Sequence, residues 1–333
     1  MSYNMNSGYG QALLNAVHSA VPTFGRIFVV VSSSDYAGER YQKLQEVFKP
    51  YKGLVRFYTS LSTAYDATED GNHDVIVLDG KTTHTLTAEL NVTKSRVHFV
   101  GLDYLMGVHR TQGQSSKINI GVTTATGDVT AILNTGVRNS FRGLKITNNN
   151  TLTQALYCFG DGGEYTYMED CEVAYLAKLT TATVADLLCN GDSSHYKNCS
   201  FGTTVNEITA NGARPNVLVS RETITGKVAR DVKFENCEFL YKCGDTDNRW
   251  VYGANATDVE RKMFFVNCIF FNSLLAAQTM TLGMHFASAQ TEGAVIVKDC
   301  ASYKCTDFAT QTGIFQCSGA AQAANGCEVI QSA

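Results

Sequence analysis

The chain has 333 residues, only three prolines and 17% charged residues, with a formal net charge of −4. That balance excludes a basic surface for nucleic acid, and no run of about 18 apolar residues is present to span a membrane. The length is too great for one small core but natural for an elongated solenoid that never thickens.

The N-terminus, Met1-Ser2-Tyr3-Asn4-Met5, has no basic start and no apolar stretch of the kind that begins a secretory leader. Residues 1–24 carry no Asp, Glu, Lys or Arg, and Gln11 to Ala20 has the spacing of a short amphipathic helix ended by Pro22. Its apolar stripe, Leu13, Leu14, Val17 and Val21, is a candidate interface. Arg26 to Val31 reads as a buried strand. Asp35 to Phe48 reads as a helix with Tyr41, Leu44, Val47 and Phe48 on one face. Leu54 to Tyr58 is a second strand and Ser62 to Thr68 a short helix. A solenoid begins at Asp74-Val75-Ile76-Val77-Leu78. The short helix is expected to close its open end, since a bare first coil exposes core and strand edges. The domain reading is a small α/β docking and capping module over 1–58 and a solenoid over 59–333.

From there eight segments fit one template: apolar residues two apart, a turn residue, Cys or Leu, a spacer, and another core-type residue. Val232-Lys233-Phe234-Glu235-Asn236-Cys237-Glu238-Phe239 is the clearest. The turn residues are Gly101, Gly143, Asp170, Asn198, Asn236, Asn267, Asp299 and Gly326, spaced 27 to 42 residues apart. Alternation with period two on both sides means two strands. Phe234 and Cys237 are three apart yet both read as inward, so one residue must turn the chain between them. Gly, Asn and Asp tolerate the left-handed conformation that such a corner needs. The fold class is therefore an all-β solenoid, a parallel β-helix with three strands per coil, rising about 4.8 Å per coil.

Eleven cysteines are present, and six of them, Cys171, Cys199, Cys237, Cys268, Cys300 and Cys327, follow a turn residue. The total is odd, no Cys-x-x-Cys occurs and no histidine shares these positions, so they read as a reduced ladder of small buried hydrophobes. No metal, cofactor or catalytic residue is assigned. The histidines are scattered, with His98 and His195 outward on different coils. Asp161 and Asp192 fall on successive coils as a possible carboxylate pair, but Asp-Gly and Gly-Asp are also ordinary turn chemistry. Trp250, with Tyr252, either stacks on a sugar or packs on its own coil. Around Cys268 the outward set, Phe264, Val266, Ile269 and Phe271, is apolar, so either Leu274 to Phe286 or a second subunit should cover it.

The run from Leu61 to Gly101 and the Asn-Cys-x-Phe corners (Asn198 to Phe201, Asn236 to Phe239, Asn267 to Phe270) resemble the pectate-lyase-like right-handed β-helices. That likeness is specific for fold and not for activity. The lyase motif Arg-x-Pro-x-x-Arg is departed from at Arg214-Pro215 through Arg221, and the polygalacturonase aspartates and Gly-His-Gly are not found. The reading is accordingly a protein without catalytic activity. The run Gly25 to Asp35, followed by Gly38-Glu39-Arg40-Tyr41-Gln42, resembles β-helix proteins encoded among the virion structural genes of tailed bacteriophages. This resemblance implies a virion protein assembled in the host cytoplasm, a capsid decoration protein and homotrimer, with the major capsid protein or another virion component as partner. A tailspike that binds or cleaves glycan and a polysaccharide lyase are the alternatives.

Overall fold

The computed structural model describes Asn15 and residues 25–31, 38–48, 53–79, 83–105, 116–120, 130–148, 156–175, 184–205, 214–221, 223–243, 246–273, 280–286, 290–309, 314–317 and 327–329. It is a right-handed parallel β-helix. Three long sheets run the length of the molecule, with 11, 9 and 7 strands, here called A, B and C. From Val75–Leu78 to Met284–Phe286 each coil contributes one strand to each. The coil around Asn236 supplies Ala229–Glu235 to A, Glu238–Tyr241 to B and Arg249–Gly253 to C. Neighbouring coils pair in parallel and in register, as in Tyr196↔Phe234 and Phe234↔Phe265.

The corner between sheets A and B turns on one left-handed residue. Asp170, Asn198, Asn236, Asn267 and Asp299 have φ of 52° to 53°, and Gly143 has φ 60°. Each of the first five corners hands its N–H to the carbonyl that precedes the next corner. Gly143 donates to Glu169 at 3.0 Å, Asp170 to Lys197 at 3.1 Å, Asn198 to Glu235 at 2.9 Å, Asn236 to Val266 at 2.9 Å and Asn267 to Lys298 at 3.0 Å. The turn therefore keeps the ladder intact while reversing which side faces in. Gly101 differs. It ends the strand His98–Gly101 without left-handed φ, and the chain passes directly into the helical turn Leu102–Leu105. Gly326 lies outside the described residues.

The lumen is filled by stacks that repeat with the coil. Phe99 stacks on Phe141 at 4.8 Å, Phe234 on Tyr196 at 4.7 Å and on Phe265 at 4.8 Å, and Phe239 on Phe270 at 4.6 Å. Those spacings match the coil rise, so each ring meets its equivalent in the next coil. Beside them runs a thiol column. Cys171, Cys199, Cys237, Cys268 and Cys300 are free and buried, and each sulfur donates to the carbonyl two residues back at 3.2 to 3.4 Å. The side chain of Cys327 is outside the described residues. Trp250 is fully buried in the sheet C strand Arg249–Gly253, so the packing alternative holds for it.

The N-terminal strands need a correction. Ile27–Val30 pairs in parallel with Val75–Leu78 on one side and with Val55–Tyr58 on the other. Both continue sheet A, so the boundary expected at 58/59 cuts through one sheet. The helix Glu39–Phe48 is the crossover between them. It lays Tyr41, Leu44 and Phe48 on the outer face of the first coils, against Val29, Val77 and Val100. The helix Leu61–Asp66 puts Leu61, Ala64 and Tyr65 on the lumen side, with Phe28, Ile76 and Phe99. The expected helix of Gln11 to Ala20 and the candidates Leu13, Leu14, Val17 and Val21 lie outside the described residues.

At the coil of Cys268, Phe264, Val266 and Phe271 are half-buried and Ile269 is 49% exposed. Met284–Phe286 forms the next strand of sheet C, and Met280–Leu282 pairs with Cys305–Asp307. These strands do not fold over the apolar set. Phe271 stacks instead on Tyr303 at 5.3 Å, and Lys262 sits 5.6 Å from the Phe264 ring centre.

Asn236→Val places a β-branched residue at φ 53° and is expected to destabilise the fold by about 1–2 kcal/mol. Asn236→Gly should be near neutral. Denaturant titration of both variants measures this, and equal stability of the valine variant would contradict a required left-handed corner.

Candidate functional site

Among the described residues, the outer face of sheet A carries a repeating set of ionisable and aromatic side chains. Its geometry follows from the pleat. In each strand the middle residue points into the lumen, and its two neighbours point out. Parallel in-register pairing then lines the outward residues into columns. One column reads His98, Ser140, Tyr167, His195, Lys233 and Phe264; the next reads Val100, Arg142, Glu169, Lys197, Glu235 and Val266.

Glu169 sits at the centre of this face. It accepts from Tyr104 at 3.2 Å, and Arg142 and Lys197 each approach at 3.4 Å. Burial and the Glu169 charge push the Tyr104 phenol up to about 12, so it remains a donor. Arg142 also lies 4.9 Å from the Tyr167 ring centre, and Tyr167 meets His195 edge-on at 5.5 Å. His195 Nε2 is 2.9 Å from Glu235, which Lys233 approaches at 2.8 Å. Lys233 holds the Glu235 carboxyl below its ordinary range. Burial pushes the His195 imidazole down against the opposing pull of Glu235. Glu169 and Glu235 stand two coils apart in one column, about 9.6 Å of backbone. Both are engaged by cations, and Lys197 lies between them. The face can thus offer two acceptor carboxylates, a neutral imidazole as base, and aromatic edges to a hydroxyl-rich ligand.

The pair Asp161 and Asp192 is not formed. Asp161 is in the lumen and fully buried, whereas Asp192 is outside and pairs with Arg230 at 3.0 Å. Asp161 accepts from Asn134, Gly163, Thr166, Ser194 and Tyr196 at 2.5 to 3.3 Å. Its role is to tie three coils together inside. A second interior charge pair, Asp186 and Arg214 at 2.9 Å, is joined by Asn216 at 2.7 Å. Arg214 of the departed lyase motif is therefore buried, and Arg221 is outside, on Glu292 at 2.6 Å. On the strands of sheet C, both carboxylates, Asp161 and Asp186, face inward. The described residues contain no cluster of three metal-ligating side chains and no helix long and apolar enough to cross a membrane.

Sequence reasoning found the outward positions of His98 and His195 but not their partners. Glu169 lies 27, 28 and 65 residues from Arg142, Lys197 and Tyr104, and Glu235 lies 40 from His195. The only available signal was register, and coil length varies too much to give it. Reasoning also missed a second column of left-handed residues, between sheets C and A: His73, Arg96, Arg138, Tyr165, Ser193, Asp231 and Arg261, with φ from 51° to 68°. Here the residue types, Asp231 apart, carry no turn signature. Four of these lie five residues before an A–B corner, and backbone bonds again pass from coil to coil, as from Arg138 to the Glu164 carbonyl at 2.7 Å.

No family model and no curated protein matches the sequence. Solved structures of the same fold include a pectin methylesterase variant in complex with a hexasaccharide. It has a TM-score of 0.54 and 12% identity, over 91% of this chain and 92% of that one. The Aspergillus niger pectin methylesterase aligns at 0.53 and 12%, over 89% and 84%. The enzyme from Erwinia chrysanthemi aligns at 0.53 and 12%, over 91% and 92%. At such identity the likeness establishes the fold, the parallel β-helix. It also corrects the reading of a protein without catalytic activity. These fold relatives are enzymes, and the absence of two motifs tests only two of the sites that a rigid outer face can carry.

Two outcomes follow from these geometries. Asp161→Asn turns an acceptor into a donor among five donors and is expected to destabilise by about 2–4 kcal/mol in denaturant titration; a change near zero would contradict the satisfied-carboxylate account. Burial pushes His98 down to about 3, from an ordinary 6.5. Between those values the unfolded chain binds the extra proton, so stability is present above about pH 6.5 and falls as pH drops toward 3. His98→Gln should flatten the decline in unfolding free energy between about pH 6.5 and 4.5, by up to about 1.4 kcal/mol per pH unit. An unchanged slope would mean that His98 is not its source.

Proposed function

We propose that this chain is a structural protein of a bacteriophage virion, a rigid β-helical rod decorating the capsid. The observation that carries the mechanical part is the cross-coil charge lattice on sheet A. Arg142, Glu169 and Lys197 link three successive coils. Asp192, on the coil of Lys197, continues the chain through Arg230 and Glu260 to the next two coils at 3.0 and 2.5 Å, and Asp231 meets Arg261 at 2.7 Å. Isolated surface pairs contribute little, but a network that repeats along the axis resists shear between coils. The virion placement rests on the sequence run Gly25 to Asp35 with Gly38 to Gln42. Residues 1–24, uncharged and apolar in helical spacing, are the proposed docking segment for the major capsid protein or another virion component. The Phe264, Val266, Ile269 and Phe271 set is the proposed contact of a homotrimer. Assembly in the host cytoplasm accords with the free thiol column.

A second reading is a tailspike or receptor-binding protein that binds or cleaves glycan. The face built from Glu169, Tyr167, His195 and Glu235 favours it, because it combines fixed acceptors with an imidazole base.

Deleting residues 2–20 separates attachment from the rod. The truncated protein is expected to keep its β spectrum and Tm but to lose binding to virions stripped of the native protein. Full occupancy by the truncated protein would reject the docking role. Incubation of the native protein with host surface polysaccharide tests the second reading; release of defined oligomers that is lost in Glu235→Gln would replace the decoration reading with it.

A further inference from the structure

Three side chains stand in a row across the first coils. His73 occupies the corner that leads into the strand Val75–Leu78, and its Nδ1 is 3.2 Å from His98 Nε2 on the next coil. The two rings lie 5.5 Å apart and 20° from parallel. His98 Nδ1 is 2.9 Å from Ser140 Oγ, one coil further on. His98 and Ser140 are buried and His73 is half-buried. A ring-to-ring hydrogen bond needs one N–H and one bare nitrogen. A first added proton leaves that bond possible but places a charge in a buried row. A second sets two N–H groups face to face.

The surrounding charges oppose those protons. Burial pushes both imidazoles down, His98 to about 3; Arg96 and Arg138 add to it at His73, and His73 and Arg142 add to it at His98. The acids of the same coils are engaged elsewhere. Asp74 accepts from the Arg26 N–H at 2.7 Å and its guanidinium at 3.0 Å, from the Glu69 N–H at 2.7 Å and from Asn72 at 2.8 Å. Glu69 meets Arg26 at 3.4 Å, and Asp70 accepts from the Ser95 N–H at 2.7 Å. Glu164 is approached by Lys227 at 3.5 Å and Glu169 by Arg142 at 3.4 Å. Arg138 and Arg142 lie over the rings of Tyr165 and Tyr167. In the middle of the rod the outward imidazole differs, since His195 faces the Glu235 carboxylate at 2.9 Å.

The row lies where the rod begins. Asp74, next to His73, holds Arg26 at the start of Ile27–Val30, and that strand pairs with Val75–Leu78. In a solenoid each coil rests only on its neighbours, so a cost placed between two coils falls on that end. We propose that His73, His98 and Ser140 form an acid-sensitive latch, whose protonation opens the N-terminal strands Ile27–Val30, Val55–Tyr58 and Val75–Leu78 while the central coils stay closed. An opened His98 binds a proton near its ordinary 6.5 and a closed one only near 3. Between those values opening takes up a proton, so it becomes easier as pH falls. Asp74 acts in a separate window. Burial raises its carboxyl, but the Arg26, Glu69 and Asn72 donors outweigh burial and hold it below its ordinary 3.8, so its contribution is lost only as pH falls below that value. The latch does not depend on where the protein sits in a virion.

The test is hydrogen exchange read by mass spectrometry on the purified full chain, corrected for the intrinsic exchange rate at each pH. From pH 7.5 to 4.5 the opening constant of the three N-terminal strands is expected to rise about 100-fold, and that of Ala229–Glu235 and Val259–Val266 to stay nearly constant. His98→Gln combined with His73→Asn, a residue suited to the φ of 58° at that corner, should cut the rise to about tenfold or less. His84, held by the Asp79 carbonyl at 2.9 Å, remains in that variant and accounts for what is left. Protection lost in step along the whole rod, no rise at the N-terminal strands, or a native-sized rise in the double variant would overturn the proposal. The first two outcomes are read on the native chain and decide the matter even if the variant does not fold. Absence of the protein from virions would reject the decoration reading and leave this result standing.

Discussion

One constraint governs the molecule. At each corner the chain must turn on a single residue without breaking the hydrogen bonds that join one coil to the next. A left-handed residue does this, because its N–H still points along the axis to the next coil, as Asn198 does toward Glu235 at 2.9 Å. In-register stacking depends on that continuity. A slip of one residue at Asn236 would send Phe234 or Cys237 outward and break the ring stack with Phe265 and the thiol column together.

Register also makes the outer face a lattice. Outward residues recur at one coil rise, so a carboxylate on one coil stands beside a cation on the next without any local sequence signal. Glu169 between Arg142 and Lys197 arises this way, and so does Arg230 between Asp192 and Glu260. The same regularity suits adhesion and chemistry equally. A rigid face that holds Glu235 against His195 fixes an acid–base pair as firmly as it fixes a structural ion pair. Fold relatives that are enzymes and a proposed role in a virion are compatible on these terms, since the β-helix supplies rigidity and the outward residues supply function.

The interior charges show how far burial is balanced. Asp161 and the Asp186–Arg214 pair are sealed in the lumen, each with hydrogen bonds from several coils. Burial pushes the Asp161 carboxyl up, against the pull of its donors. Such groups discriminate between registers, because a shifted coil would leave them unpaired in an apolar lumen.

The sequence by itself determined the coil, its three strands, the inward Phe and Cys columns, and the A–B corners from Gly143 to Asp299, because alternation and turn chemistry are local properties. It misjudged Gly101, where the chain enters a helical turn, since glycine is permissive of both paths. It also separated residues 1–58 from the rod, since no local pattern reveals that Ile27–Val30 inserts between Val55–Tyr58 and Val75–Leu78. The C–A corner was invisible because His, Arg, Tyr and Ser announce no turn; only the backbone shows the left-handed conformation. Which carboxylate meets which cation, and that Asp161 faces inward while Asp192 faces out, was decided by tertiary register. Coils of unequal length carry the partners past one another in sequence, and only stacking brings them together.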